Sequence, residues 1–288
     1  GTATPRVSRY YKALNSNIKL LELKNRANKF VLPDAKVVDM KNELISGNRS
    51  VFSRELKELI SDRLNKNEQI ILFLNKRGHS TFVQCRVCGE AVTCPNCDTT
   101  LTYHQNKNQL ICHYCSYTKA NVTVCSNCGS HKIKFVGTGT ERIVDEINKI
   151  WPEASVIRID SDNTTKKNST EKFLESFRDH EADILVGTQI IAKGLDYPLV
   201  TLVGVLNADL TMKLPFYDAF ERTYELLEQV SGRTGRGDLG GEILIQTYNP
   251  DHYTIRYAST HDYLGFYKEE ILNREITSNP PFKENVEI

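Results

Sequence analysis

No apolar run in the chain approaches the roughly 18 residues that a bilayer-crossing helix needs, and the polar start from Gly1 to Tyr10 lacks the charged-then-apolar pattern of a signal peptide. A soluble, intracellular protein is the expectation. An excess of either charge is missing too, since 37 Lys and Arg face 36 Asp and Glu for a formal net charge of +1. No global field announces a nucleic acid, so any polyanion site has to be local. Cysteine is absent everywhere except between Cys85 and Cys128. The Gly-x4-Gly-Lys-Ser/Thr phosphate loop is also missing, as is any strand ending in a paired acidic magnesium site followed by His, so this chain is not expected to hydrolyse ATP alone. What is present suffices for ordinary cores: 288 residues, about two domains' worth, of which 40% are hydrophobic.

The cysteines form one local device. They fall in four Cys-x2-Cys knuckles, Cys85/Cys88, Cys94/Cys97, Cys112/Cys115 and Cys125/Cys128, separated by five, fourteen and nine residues. A knuckle points two sulfurs at one place, and a tetrahedral zinc takes two knuckles, so eight thiolates imply two zinc ions. Cys94, Cys97, Cys112 and Cys115 have nearly the zinc-ribbon spacing, which leaves Cys85, Cys88, Cys125 and Cys128 as an outer site. Sequential pairing is the alternative to this nested one. Gly89, Asp98, Ser116 and Gly129 follow the knuckles and are suited to direct backbone donors toward sulfur. Disulfides and iron–sulfur clusters are the other chemistries open to eight cysteines; the regular knuckles and the lack of a secretory signal speak against disulfides. His104 and His113 lie in the block but exceed the ligand count.

Around the block the pattern is α/β. Ser53 opens a helix carrying Leu56, Leu59, Ile60 and Leu64, followed by the buried strand Ile70 to Leu74. After the block come a strand from Ile133 to Val136, a helix with Ile143, Val144, Ile147 and Ile150 facing inward and stopped by Pro152, and strands at Ser155 to Ile159, Ile184 to Val186 and Val200 to Leu206. A helix bearing Phe173, Leu174 and Phe177, another from about Asp218 to Gln229, a strand from Glu242 to Gln246, and helices at Thr254 to Ala258 and Tyr263 to Arg274 complete the alternation. Such alternation means a parallel sheet covered by helices, interrupted by the cysteine block. The polar run from Ser161 to Thr170 reads as a loop.

Several segments can meet phosphate. In Gln229-Val-Ser-Gly-Arg-Thr-Gly-Arg236 the guanidiniums of Arg233 and Arg236 sit three residues apart after a helix end, and each can make bidentate bonds to phosphate oxygens. Gln229 is placed to report nucleotide state. Gly187-Thr188-Gln189 follows a buried strand and Ala192 to Pro198 precedes the next; carboxyl ends of parallel strands are where open α/β sheets bind ligands. Thr188 is suited to a nucleic-acid phosphate, and Asp196 to a ribose or an arginine. Thr138, Gly139 and Thr140 offer amides and hydroxyls at a helix start, where simple capping is the alternative. Asn75, Lys76 and Arg77 put two cations beside the sheet, or form a solvated basic turn.

These residues resemble the second RecA-like lobe of a superfamily 2 helicase. More narrowly, four knuckles between ILFLNKRGHS and VGTGTERI, followed by RIDSDNTT, GTQIIAKGLDYP and QVSGRTGRGDLGGEILIQTYNP, resemble the PriA family of primosomal replication-restart helicases over nearly the whole chain. The resemblance implies a bacterial, cytoplasmic, ATP-driven 3′-to-5′ DNA helicase. Arg233 and Arg236 would reach across a cleft to ATP and Mg2+, with Gly194 and Asp196 lining that cleft. Thr138, Thr140 and Thr188 would hold single-stranded DNA, and the zinc insertion would serve primosome assembly and strand separation. Branched and single-stranded DNA, primosome proteins, the replicative helicase loader and single-stranded DNA-binding protein are the implied partners, with no membrane. Domains follow: 1–33 as the end of a first lobe and linker, 34–82 with 131–256 as the second RecA-like lobe, 83–130 as the zinc insertion, and 257–288 as the helical start of a further domain. Gly1 to Pro5 resembles the motif that closes the family's first lobe, so a piece of a longer protein is expected. A zinc-dependent scaffold for DNA or proteins, working without ATP, and a zinc-ribbon relative acting on RNA are the other functional readings.

Overall fold

A computed structural model describes residues 2–15, 18–23, 35–74, 81–96, 100–104, 107–112, 115–136, 140–159, 167–188, 197–214, 216–234 and 239–284. Six strands form one parallel sheet: β1 (Ala35–Asp39), β2 (Gln69–Phe73), β8 (Val156–Ile159), β9 (Ile184–Gly187), β10 (Val200–Val205) and β11 (Glu242–Thr247). Their order is β1-β11-β10-β2-β9-β8. Every residue of β2 and β10 is buried, because helices cover both faces, and such strands read as continuous apolar runs. The strand period of two still sorts the side chains. Ile71, Phe73, Val203, Val205, Ile243 and Ile245 join one core, while Ile70, Leu72, Ile184, Val186, Leu202 and Leu244 join the other. The buried amide of Gln246 is fully engaged: its Oε1 accepts from the Ser53 amide at 2.7 Å, and its Nε2 donates to the carbonyls of Val51 and Leu206 at 2.8 and 3.1 Å.

The helices are α1 (Val7–Asn15), α2 (Met40–Ile45), α3 (Arg54–Asn65), α4 (Thr140–Ile150), α5 (Lys167–Arg178), α6 (Asp209–Met212), α7 (Ala219–Ser231), α8 (Tyr253–Ser259) and α9 (Tyr263–Ile276). Ser53 caps α3 as its position suggests, its hydroxyl accepting from the Leu56 amide at 3.1 Å. Two expectations change. Ile150 is 38% exposed rather than inward, because the next residue, Trp151, takes the inward place, packing on Phe52 and donating from Nε1 to Ser61. The polar run 161–170 is not a loop throughout: its last four residues, from Lys167, are the first turn of α5. A polar first turn suits a helix whose buried positions begin only at Leu174.

The cysteine block forms a second, antiparallel sheet of β3 (Thr81–Cys85), β4 (Thr102–His104), β5 (Gln109–Ile111), β6 (Thr118–Ala120) and β7 (Ile133–Val136), ordered β6-β5-β4-β3-β7. The strand Ile133–Val136 thus pairs with the insertion, not with the parallel sheet: Phe82 lies opposite Val136 and Cys85 opposite Ile133. A chain that leaves the lobe after β2 and must return to α4 satisfies both backbones by zipping its outgoing and incoming segments together. The inserted sheet therefore runs from Thr81 to Val136, wider than the cysteines alone indicate.

Helix α9 is tied into the lobe. Phe266 and Tyr267 belong to the larger core, and a buried ion network joins α9 to α7 and α1. Arg274 Nε donates to Glu270 Oε1 and its Nη2 to Glu221 Oε2, each at 2.7 Å. Glu221 Oε1 accepts from the Val7 amide at 2.9 Å, and Tyr253 Oη donates to Glu270 Oε2 at 2.6 Å. All three charged side chains are at most 4% exposed. Burial pushes the Glu270 carboxyl up despite the attraction of Arg274 and the Tyr253 bond. Arg274→Ala strands two buried carboxylates, so urea unfolding should show a loss of about 3–5 kcal/mol; a loss below 1 kcal/mol, about the worth of an exposed pair, would show the network to be effectively solvated.

Candidate metal centres and phosphate-facing edges

The thiols assemble in the nested pairing. Sγ atoms of Cys85, Cys88, Cys125 and Cys128 lie within 4.8 Å of one another, and so do those of Cys94, Cys112 and Cys115. Cys97 and Asp98 lie outside the described residues. Sγ–Sγ separations of 3.6 Å recur for Cys85–Cys128, Cys88–Cys125 and Cys94–Cys115. Four thiolates around one ion at bonds of about 2.3 Å stand about 3.8 Å apart, whereas a disulfide needs about 2.05 Å. The residues present therefore fit tetrahedral zinc, which when bound supplies a structural crosslink.

The local turns explain the fit. Gly89, Ser116 and Gly129 have φ of +75°, +59° and +68°, and each donates its amide to the carbonyl of the first cysteine of its knuckle at 3.0 Å. Those amides were expected to face sulfur; they close the turn instead, and sulfur is met by the amide inside the knuckle, as Val87 N meets Cys85 Sγ at 3.4 Å. The Cys125 thiol, though burial opposes it, is drawn down to about 7 by the amides of Cys128 and Asn127. Burial pushes Cys88 up. A set of four thiols so close favours full ionisation only with a cation among them. Neither group contains a histidine, and of the two surplus histidines His104 sits half-buried on β4 while His113 is outside the described residues.

The expected phosphate-facing residues fall on opposite edges of the parallel sheet. Thr188 follows β9 at its carboxyl end, its amide donating to the Ile159 carbonyl at 3.3 Å. Helix α4 packs on β8 and β9 and runs back to the start of β8, so Thr140 at its head overlies the same edge. Both threonines are buried, at 5% and 0% exposure, so neither side chain is an open ligand here. Asn75, Arg77, Thr138 and Gly139 lie outside the described residues.

Arg233 is at the other edge. Helix α7 ends at Ser231 with Gly232 as its cap; the Arg233 amide donates to the Val230 carbonyl at 3.0 Å, and the Thr234 hydroxyl donates to the carbonyl of Val200 at 3.1 Å. Val200 begins β10, so the motif is pinned to the amino end of that strand. Tyr197, buried with its ring 5.3 Å from Phe177, lies near enough to Arg233 for charge coupling. Its phenol is pushed up to about 12 by burial, against the pull of Arg233 and Arg178. Gly187 and Thr188 therefore lie at the carboxyl edge while Tyr197 and Pro198 lead into the amino end of β10, and the rest of the two segments, 189 and 192–196, is outside the described residues. Gln229 is an exposed residue of α7; Gly194, Asp196 and Arg236 lie outside the described residues. Sequence reasoning passed over Thr234, the anchor between the two arginines, although its place in the motif marks it.

Parallel lobe and thiol geometry together define a RecA-like α/β lobe interrupted by a zinc-type cysteine insertion. A family model described as the PriA DNA helicase Cys-rich region (CRR) domain matches residues 94–120. Replication restart protein PriA of Bacillus subtilis is 49% identical over 98% of this chain, and that of Synechocystis sp. 45% identical over 91%. The chain belongs to the PriA family. It spans 35% and 32% of those two relatives' lengths. Solved structures are more distant: S. cerevisiae Dbp5 bound to RNA and ADP BeF3 superposes with a TM-score of 0.38 at 14% identity over 93% of this chain and 51% of its own, and DUF1998 helicase MrfA bound to DNA with 0.39 at 14% over 80% and 21%. Among the described residues no helix is long and apolar enough to cross a membrane.

Proposed function

We propose that this chain is the second motor lobe of an ATP-dependent 3′-to-5′ DNA helicase that restarts stalled replication forks and starts primosome assembly. The observation that carries this reading is the identity to replication restart proteins across nearly all of the chain, motor motif and knuckles together. Residues 1–33 then belong to a first lobe's end and the linker, the zinc insertion expected at 83–130 takes in the whole inserted sheet from Thr81 to Val136, and the second lobe includes α9, so that any further domain starts after that helix rather than at 257. Cys85, Cys88, Cys125 and Cys128 hold one zinc; Cys94, Cys97, Cys112 and Cys115 hold the other.

The two edges divide the work. Arg233 and Arg236 face ATP and Mg2+ held on another lobe, with Gln229, Gly194 and Asp196 lining the same cleft, and stabilise charge on the transferring phosphoryl group. Asn75, Arg77, Thr138 and Gly139 grip a single strand at the opposite edge, where the covered Thr140 and Thr188 hold the head of α4 and the end of β9 in place. Cleft closure and release then move one grip relative to another. Branched DNA, primosome proteins, the replicative helicase loader and single-stranded DNA-binding protein are the partners this reading assigns, in the bacterial cytoplasm.

Grip on phosphates makes binding salt-dependent. Affinity of the chain for single-stranded DNA, measured by fluorescence anisotropy from 50 to 200 mM salt, should fall linearly on a log–log plot with a slope of about −0.7 per phosphate contacted. A flat plot would remove DNA from the reading.

A further inference from the structure

At the carboxyl edge a cavity of about 490 Å³ opens between insertion and lobe, lined by Glu90, Thr93 and Thr100 from the one and by Phe216, Tyr217 and Asn249 from the other. We infer that this cavity receives an unpaired nucleobase of the bound strand, stacked on Phe216 and Tyr217. The inference rests on the DNA reading above and deepens it.

Both rings are 38% and 42% exposed in a chain whose other large aromatics are mostly covered. One face of each is already held by a cation: the Arg222 guanidinium is 4.8 Å from the Phe216 centroid and that of Arg274 is 5.3 Å from Tyr217. Those guanidiniums are themselves fixed, Arg222 by Asp218 and Arg274 by the buried network. The rings are thus braced before any ligand arrives, which lowers the ordering cost of stacking. Asn249 lines the space with its amide nitrogen committed to Asp209 at 2.5 Å, leaving its Oδ1 as an acceptor for a base edge; Thr93 and Thr100, bridged to each other, add hydroxyls.

Charge argues for a base over a phosphate. Lys213 is the cation among the lining residues, and its partly buried ammonium donates to the Gly89 carbonyl, while Glu90 and the neighbouring thiolate centre are anionic. A neutral heteroaromatic ring needs no free cation, whereas the cations around the cavity are already engaged, Lys213 by Gly89, Arg222 by Asp218 and Arg274 by the buried network. The place fits as well, since β10 and β11 end here, two strand spacings, or about 10 Å, from the end of β9 where Thr188 sits.

The chain as it stands, zinc-loaded, decides the matter in anisotropy titrations with an oligothymidylate and with an abasic strand of equal length. Stacking predicts that Phe216→Leu with Tyr217→Leu weakens oligothymidylate binding between about 5-fold and 100-fold without changing the salt slope, since no phosphate contact is lost. The wild type should bind the abasic strand as weakly, and the variant should lose nothing further on it. Phe216→Leu alone, which leaves the surroundings of Arg274 untouched, should move affinity the same way with an unchanged melting midpoint. Equal affinity of variant and wild type overturns the base site while sparing the DNA reading, and would fit a pocket for a protein partner. A flatter slope in the variant overturns it in favour of a phosphate contact. Wild type that binds no DNA removes both.

Discussion

Stripped of zinc by a chelator at neutral pH, the inserted sheet from Thr81 to Val136 should unfold while the parallel sheet keeps its cooperative melting transition. The fully buried cluster of the insertion is Val83, Leu101 and Leu110 with Cys94 and Cys112, two of the five being metal-site thiols. Three aliphatic side chains at about 1.5–3 kcal/mol each cannot order a segment whose backbone entropy costs about 1–2 kcal/mol per residue. A structural zinc contributes about 10–16 kcal/mol in peptide hosts, which is the scale required. Elemental analysis should find two zinc ions per chain, and Cys88→Ser or Cys112→Ser should each release one. Amide exchange in β3 to β7 that stays slow after complete removal of metal would show that the insertion folds on its packing alone.

In the protein that carries both lobes, Arg233→Ala should lower ATP turnover by about 10³–10⁵-fold, the range by which an arginine finger accelerates phosphoryl transfer. Single-strand affinity and zinc content should stay as they were, because Arg233 sits at the amino end of β10, across the sheet from Thr188. Arg233→Lys should recover little, since an ammonium cannot make the planar, two-pronged contact with phosphate oxygens. Turnover within a few-fold of wild type would take Arg233 out of the nucleotide cleft. A parallel loss of DNA affinity would contradict the separation of the two edges.

Reading the residues alone located most of the architecture, for a local reason. Ile70–Phe73 is an unbroken apolar run and Val200–Val205 is apolar apart from Thr201 and Gly204, because both strands are covered on both faces, and Ser53 and Pro152 mark helix ends through their own backbone chemistry. The knuckles announce metal because two sulfurs three positions apart converge whatever surrounds them. Helix α1 was legible and was passed over, since Val7, Tyr10, Tyr11 and Leu14 stand at helical spacing; strand β1 escaped notice because it is an edge strand with a single buried residue.

What composition, spacing and periodicity could reach were elements, ligand types and a family likeness. The membership of Ile133–Val136 in the inserted sheet, the burial of Thr140 and Thr188, the opposite edges held by Thr188 and Arg233, and the cavity between Glu90 and Phe216 all came from the folded chain, which also selected the nested pairing favoured by the knuckle spacing over the sequential one. Each joins residues far apart in the chain, and their meeting is set by strand order and by the crossing of loops over the sheet. Short-range patterns carry no information about that, because the same run of side chains satisfies its own hydrogen bonds and buries its own apolar face beside any compatible neighbour.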